Sequence, residues 1–164
     1  MIYSSMHIPD NNQTLELIAK QAELGNKLVF TNGCFDILHI GHVRYLSQAA
    51  QLGDALVVGL NSDTSVKTLK GSQRPINTQD IRKEMLLSIR AVDYVVIFDE
   101  DTPLSLIQTI KPHVLVKGGD WPTEKIVGAD FVLSNGGKVY SLPFVDGYST
   151  TNLLKQITTP SNCA

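Results

Sequence analysis

The sequence predicts an α/β protein, a doubly wound, Rossmann-like parallel sheet of five strands with helices on both faces. Segments of helical periodicity alternate with short apolar runs from end to end. The runs, such as Ala55-Leu56-Val57-Val58-Gly59-Leu60, are continuously apolar, as in strands buried on both faces. Each polar cluster that could carry chemistry follows the end of such a run, where open parallel sheets bind ligands. A chain of 164 residues suits one core of this kind.

Pro9-Asp10-Asn11-Asn12 closes an N-terminal arm and signals a helix start. Leu15, Leu17, Ile18, Ala22 and Leu24 recur at helical spacing, and Gly25 stops that helix. Lys27 to Thr31 reads as the first strand, broken at Gly33, with a helix from about Gly41 to Leu52. The second strand is Ala55 to Leu60, followed by a polar loop, Asn61-Ser62-Asp63, and a basic, flexible stretch over 64–77. Thr78 caps a helix that carries Ile81, Met85, Leu86 and Ile89 on one face, and Asp93 to Phe98 is the third strand. Thr102 is a cap with Pro103 at the first helical position, where its missing N–H costs nothing. Val114 to Val116 is the fourth strand, a short helix covers 124–134, and Val139 to Leu142 is the fifth strand after the Gly136-Gly137 turn. Ser149 caps a last helix through Ile157. The expected organisation is an arm and helix over 1–26, one domain over 27–158 and a flexible tail over 159–164.

The formal net charge of −2 argues against a broad nucleic-acid surface, leaving room for a local phosphate pocket. Cys34 and Cys163 are too few and too far apart for a disulfide framework, and no apolar run suits a leader or a membrane span. The expected setting is cytoplasmic, with no membrane and no nucleic-acid partner.

The most informative segment is Thr31-Asn32-Gly33-Cys34-Phe35-Asp36-Ile37-Leu38-His39-Ile40-Gly41-His42. His39 and His42, three apart at a helix start, can face one side, and Gly41 leaves space between them. The free N–H groups and positive dipole end of the helix complete a phosphate cradle. A capping pair is the plain alternative, and a zinc pair lacks a third ligand at metal-site spacing. Lys67, Lys70 and Arg74 form a basic run punctuated by Gly71 and Pro75. Arg82 stands in the first turn of a helix, where the dipole disfavours a cation, so a role beyond solvation is expected. In Lys117-Gly118-Gly119-Asp120-Trp121 two glycines let backbone approach a flat ligand, Asp120 can accept from a ribose hydroxyl and Trp121 can flank a base. Ser149-Thr150-Thr151 puts three hydroxyls at a helix start, more than capping requires.

The string Asn32-Gly33-Cys34-Phe35-Asp36-x-Leu38-His39-x-Gly41-His42 resembles the signature of the cytidylyltransferase-like nucleotidyltransferases. Three further segments resemble the adenylyltransferases of ADP-heptose synthesis: Lys70-Gly71-x-x-Arg74-Pro75, Val116-Lys117-Gly118-Gly119-Asp120 and Gly147-Tyr148-Ser149-Thr150-Thr151. Trp121 stands where that group has a tyrosine and is similar to the glycerol-phosphate cytidylyltransferase branch. The resemblance implies transfer of AMP from ATP, with Mg²⁺, to D-glycero-β-D-manno-heptose 1-phosphate. The products would be pyrophosphate and an ADP-heptose for lipopolysaccharide or another heptose-containing surface glycan. It implies catalytic roles for His39, His42 and Lys70. It places Asn32, Gly33, Cys34, Phe35, Gly41, Arg82, Lys117, Gly118, Gly119, Asp120, Trp121, Ser149, Thr150 and Thr151 at the nucleotide. Asp36, Lys67 and Arg74 fall at the acceptor, and no residue is expected as a metal ligand. Many relatives carry threonine at the position of Cys34, so its backbone rather than a nucleophilic thiol is expected to act. A homodimer and a separate heptose kinase supplying the sugar phosphate complete what the resemblance implies. Within the same family, glycerol phosphate with CTP is the alternative; a non-catalytic nucleotide-binding module is the alternative of another class.

Overall fold

The computed structural model describes residues 8–143; the Ser149-Thr150-Thr151 segment and the final helix expected from the sequence lie outside them. Five strands form one parallel sheet: β1 (Leu28–Gly33), β2 (Ala55–Asn61), β3 (Tyr94–Phe98), β4 (Val114–Gly118) and β5 (Lys138–Leu142). Their spatial order is β3-β2-β1-β4-β5. The chain therefore winds outward from β1 in one direction and, after β3, crosses back to β4. The β1/β4 boundary is where the order reverses.

Among the described residues six α-helices cover the sheet: α1 (Asn11–Glu23), α2 (Ile40–Ala50), α3 (Asp63–Lys70), α4 (Gln79–Leu87), α5 (Leu104–Ile110) and α6 (Ala129–Ser134). The strands alternate their side chains between two apolar layers. Leu28, Phe30, Val57 and Leu115 pack with Ile18 of α1, Ile107 and Ile110 of α5 and Val132 of α6. Val29, Leu56, Val58, Val114 and Val116 pack with Leu46 and Ala49 of α2 and Leu86 of α4. The unbroken apolar runs thus reflect burial on both faces.

α1 begins with a capping box, Asp10 accepting from the Gln13 N–H at 2.9 Å while the Gln13 side chain accepts from the Asp10 N–H. The Asn11 amide then pairs with both backbone groups of Ile97, at 2.7 and 3.0 Å, and so occupies hydrogen-bonding positions on the edge strand β3.

The structure corrects five expectations. Residues 63–70 of the stretch expected to be flexible form α3, because Ser62 caps it through the Ser65 N–H at 3.1 Å. The expected polar loop is therefore absent: Asn61 ends β2 and Ser62 is already the cap. β1 continues through Gly33 instead of breaking there. The helix expected over 124–134 divides into one 3₁₀ turn (Thr123–Lys125) and α6. Gly128 separates them at φ 87°, where a Cβ would also meet Ile107 at 2.7 Å. Pro103 falls one place earlier than expected, as the N-cap of α5.

Candidate active site

The sheet opens where its order reverses. β1 and β2 pair along six residues, whereas β1 and β4 pair only at Val29/Val114 and Phe30/Leu115. Beyond that point the Tyr45 hydroxyl from α2 enters between the strands. It lies 2.5 Å from the Thr31 hydroxyl and donates weakly to the Val116 carbonyl at 3.4 Å. Burial pushes the Tyr45 phenol up to about 12, so it remains a neutral tie between the helix and both strands. At the mouth of the opening, the Lys117 ammonium reaches Asn32 Oδ1 at 3.4 Å. Burial lowers the Lys117 pKa, partly countered by Cys34.

The β1–α2 turn carries the two histidines. Phe35 sits at φ 44°, a left-handed conformation costly for a residue with a side chain. Its ring occupies the space beside Gly33, where a Cβ would come within 3.0 Å of it, so Gly33 accommodates Phe35 rather than leaving an open approach. Phe35 then meets the His42 ring edge-on, with centroids 5.3 Å apart. His39 is the N-cap of α2 but makes no side-chain capping bond, which removes the plain capping explanation for it. The His39 and His42 rings stack with centroids 3.8 Å apart, and Gly41 is buried in the first turn between them. Their Nδ1 atoms are buried and have no hydrogen-bond partner among the described residues. A buried polar atom left unpaired is costly and marks a place prepared for a ligand.

Burial depresses the His42 pKa to about 4, with the neighbouring His39 and Lys70 charges adding to the effect; burial lowers His39 as well. Both imidazoles are therefore neutral at pH 7, and the unfolded chain takes up protons more readily than the folded one. Stability contributed by neutral His42 is complete above about 6.5, the ordinary histidine value, and is lost as pH falls from there toward 4. Urea unfolding at pH 7 and pH 5 is expected to show a larger loss for the wild type than for His42→Gln. Equal losses would place the His42 imidazole in a solvated setting.

Asp36 and Arg74, both expected at the acceptor, form an ion pair with each other. Asp36 is 2% exposed, and its carboxylate accepts from Arg74 Nε at 2.5 Å and from the Ile76 and Asn77 N–H groups. The Asn77 side chain returns a bond to the Asp36 carbonyl at 2.7 Å. Burial alone would raise the Asp36 pKa, but the Asn77 and Ile76 backbone donors and Arg74 outweigh it and hold the carboxyl below its ordinary value. Asp36 therefore fastens the 74–77 loop to the histidine turn. Arg74 keeps one buried guanidinium nitrogen, Nη2, without a partner among the described residues. Lys67 and Lys70 lie exposed in the last turn of α3, and Lys70 is near enough to shift His42 electrostatically.

Arg82, expected at the nucleotide, is fully buried. Its guanidinium donates to the carbonyls of Asn77 (3.0 Å), Cys34 (2.7 Å) and Asn61 (2.8 Å) and to Asp63 Oδ1 (2.7 Å). These acceptors offset the unfavourable helix dipole and leave no exposed surface for a ligand. Cys34 contributes its carbonyl to this knot; its thiol is 3.8 Å from Asn61 Oδ1.

At the end of β4, Lys117 and Trp121 help to line a cavity of about 190 Å³, together with Asn32, Pro103, Lys125, Ile126 and Val127, and Gly118, Gly119 and Asp120 connect the first two. Trp121 is half exposed beside it. Among the described residues there is no group of three His, Cys, Asp or Glu side chains able to hold a metal ion, and no helix long and apolar enough to cross a membrane.

Sequence reasoning missed Tyr45, Asp63, Asn77, Lys125 and Ser141. Tyr45 had a signal: a hydroxyl three residues past His42, on the face that α2 must turn to the sheet. The others bond or border through loops, and no local pattern marks them.

Comparison with known proteins agrees with this geometry. The cytidylyltransferase-like family matches residues 30–136. The bifunctional protein HldE of Aliarcobacter butzleri is 53% identical over 160 residues, 98% of this chain and 33% of that protein. HldE of Geobacter metallireducens is 56% identical over 141 residues, 86% of this chain and 29% of that protein. The chain thus spans about a third of the length of these relatives. A solved lipopolysaccharide core biosynthesis protein from Thermoplasma volcanium superposes with a TM-score of 0.58 at 27% identity, covering 76% of this chain and all of that one. With its sheet order, histidine turn and sequence in accord, the chain belongs to the cytidylyltransferase-like family of nucleotidyltransferases.

Proposed function

We propose that the chain transfers AMP from MgATP to D-glycero-β-D-manno-heptose 1-phosphate, releasing pyrophosphate and forming ADP-heptose for lipopolysaccharide or a related surface glycan. The observation that carries this reading is the stacked pair of neutral imidazoles with unpartnered Nδ1 atoms at the start of α2, beside Lys70. The 53–56% identity to proteins named HldE supports the heptose acceptor. Those relatives are named bifunctional, and the sugar 1-phosphate must come from a kinase activity, which we propose is supplied separately from this domain.

A sugar-phosphate oxygen attacks the α-phosphorus in line, the bond from the α-phosphorus to the bridging oxygen breaks, and pyrophosphate takes the electron pair. The acceptor phosphate is already ionised at neutral pH, so no base is needed. His39 and His42 hydrogen-bond phosphate oxygens and support the charge that builds on them, with Lys70, Lys67 and the free nitrogen of Arg74 adding positive charge. Cys34 acts through its backbone. A bound Mg²⁺ would supply positive charge to the phosphates; it needs few protein ligands and would be held through the nucleotide's own oxygens, which does not require a carboxylate cluster. The base lies against Trp121 and the Gly118-Gly119 backbone.

Incubation with MgATP and heptose 1-phosphate, followed by mass spectrometry, tests the reading; absence of ADP-heptose and pyrophosphate refutes it. Trp121 supports a second reading, a cytidylyltransferase. Adenine and cytosine differ in size and hydrogen-bonding edges, and a buried polar group left unpaired costs about 1–3 kcal/mol. With equal ATP and CTP competing for limiting acceptor, ADP-linked product is expected in at least roughly tenfold excess, about 1.4 kcal/mol. A CDP-linked excess would favour the second reading.

A further inference from the structure

One hydroxyl on the sheet edge holds the turn between Lys117 and Trp121, two residues that line the cavity. Ser141 stands on β5 opposite Lys117 of β4. Its Oγ accepts from the Trp121 N–H at 3.0 Å and donates to the Gly119 carbonyl. The Gly119 N–H donates to the Leu142 carbonyl at 2.8 Å. Gly119 adopts φ 113°, so the chain turns sharply there. Asp120 is exposed, and its N–H makes no hydrogen bond among the described residues. β5 is an edge strand. The turn that carries Trp121 to the cavity is thus fastened to the sheet by a side chain that is not among the cavity's lining residues.

We propose that Ser141 is a positioning residue for the nucleotide: its paired hydrogen bonds set where Trp121 stands and present the Asp120 amide to the base. The inference rests on the nucleotidyltransferase reading and adds a residue that selects the base without touching it. A serine hydroxyl suits the task because it donates and accepts at once. Alanine can do neither, threonine can do both, and a thiol does both weakly.

Trp121 is the single tryptophan of the chain, so its emission reports this turn directly. The experiment measures acrylamide quenching of Trp121, with and without MgATP, and steady-state kinetics for wild type, Ser141→Ala, Ser141→Thr and Ser141→Cys. Ser141→Ala is expected to show increased quenching without nucleotide and a KM for ATP raised roughly five- to tenfold, as loss of modest hydrogen bonds implies. Its kcat should be essentially unchanged, because the histidine turn is untouched. Threonine should restore both quantities and cysteine should fall between; should the alanine variant not fold, this graded series carries the same test. Wild-type KM and quenching in Ser141→Ala, a fall in kcat rather than a rise in KM, or failure of threonine to restore either, would overturn the assignment. Failure of the nucleotide reading is distinct: wild-type protein would show no MgATP-dependent change and no product, while quenching of the free variants would still report whether Ser141 holds the turn.

Discussion

Replacing His42 with alanine is expected to reduce turnover by ~10²–10³-fold, the usual cost of losing one preorganised donor to transition-state charge. His39→Ala should act in the same range. The two rings stack at 3.8 Å and leave their buried nitrogens unpaired, so the protein carries the cost of this arrangement before any ligand arrives. Because burial, His39 and Lys70 oppose protonation of His42, its removal relieves a penalty that the free wild-type protein carries as pH falls below about 6.5. The variant should therefore lose less stability than wild type between pH 7 and pH 5 while losing turnover. That opposition separates a functional histidine from a packing one: near-normal product formation in both variants would remove the pair from the mechanism, and a large stability loss would make it structural. Because the two residues act on the same phosphates, the double variant should fall well short of the product of the single losses.

The fold was legible because burial on both faces leaves a mark in the sequence. Ala55 to Leu60 reads as a buried strand since every position meets a helix layer, and Leu56, Val57 and Val58 are wholly buried. The histidine turn was legible for a different reason: imidazoles three apart at a helix start have few uses, and the strand before them fixes where they emerge. α3 was misread because Lys67 and Lys70 look like a loop when their charges are counted, whereas Ser62, a cap, decides the backbone.

Charge chemistry in the site was only half legible. Asp36, Arg74 and Arg82 are the residue types that bind phosphates and sugars, and sequence shows type, not orientation. Asp36 meets Arg74 across 38 residues, and Arg82 meets Cys34 across 48. No periodicity encodes such pairings; they arise only when strand order brings the turns after β1 and β2 together. Ser141 is the same case in reverse, a small hydroxyl on an edge strand whose partners lie 20 and 22 residues back.

Arg82 gives the second large expectation. Its guanidinium holds the carbonyls of Cys34, Asn61 and Asn77 and the Asp63 carboxylate at 2.7–3.0 Å. Arg82→Met preserves much of the stem but strands four acceptors. Breaking a buried ion pair from one side costs about 3–5 kcal/mol. The loss should lie at the lower end, because the Asp63 side chain is 30% exposed and regains water, whereas Arg82 itself is fully buried. For a domain of this size that corresponds to roughly 6–12 °C in Tm. Arg82→Lys keeps the charge but replaces a planar fork with a single ammonium that cannot reach acceptors on separate turns, so it should recover only part of the loss. A phosphate-binding arginine would behave differently: lysine would keep the fold at full stability and raise the KM for ATP. Urea unfolding and ATP kinetics on the two variants decide between these outcomes. Stability near wild type in Arg82→Met, with only KM affected, would return Arg82 to the nucleotide. A stability loss in both variants, larger in methionine than in lysine, makes it the buried tie that sets the histidine turn, the α3 start and the 74–77 loop in one frame.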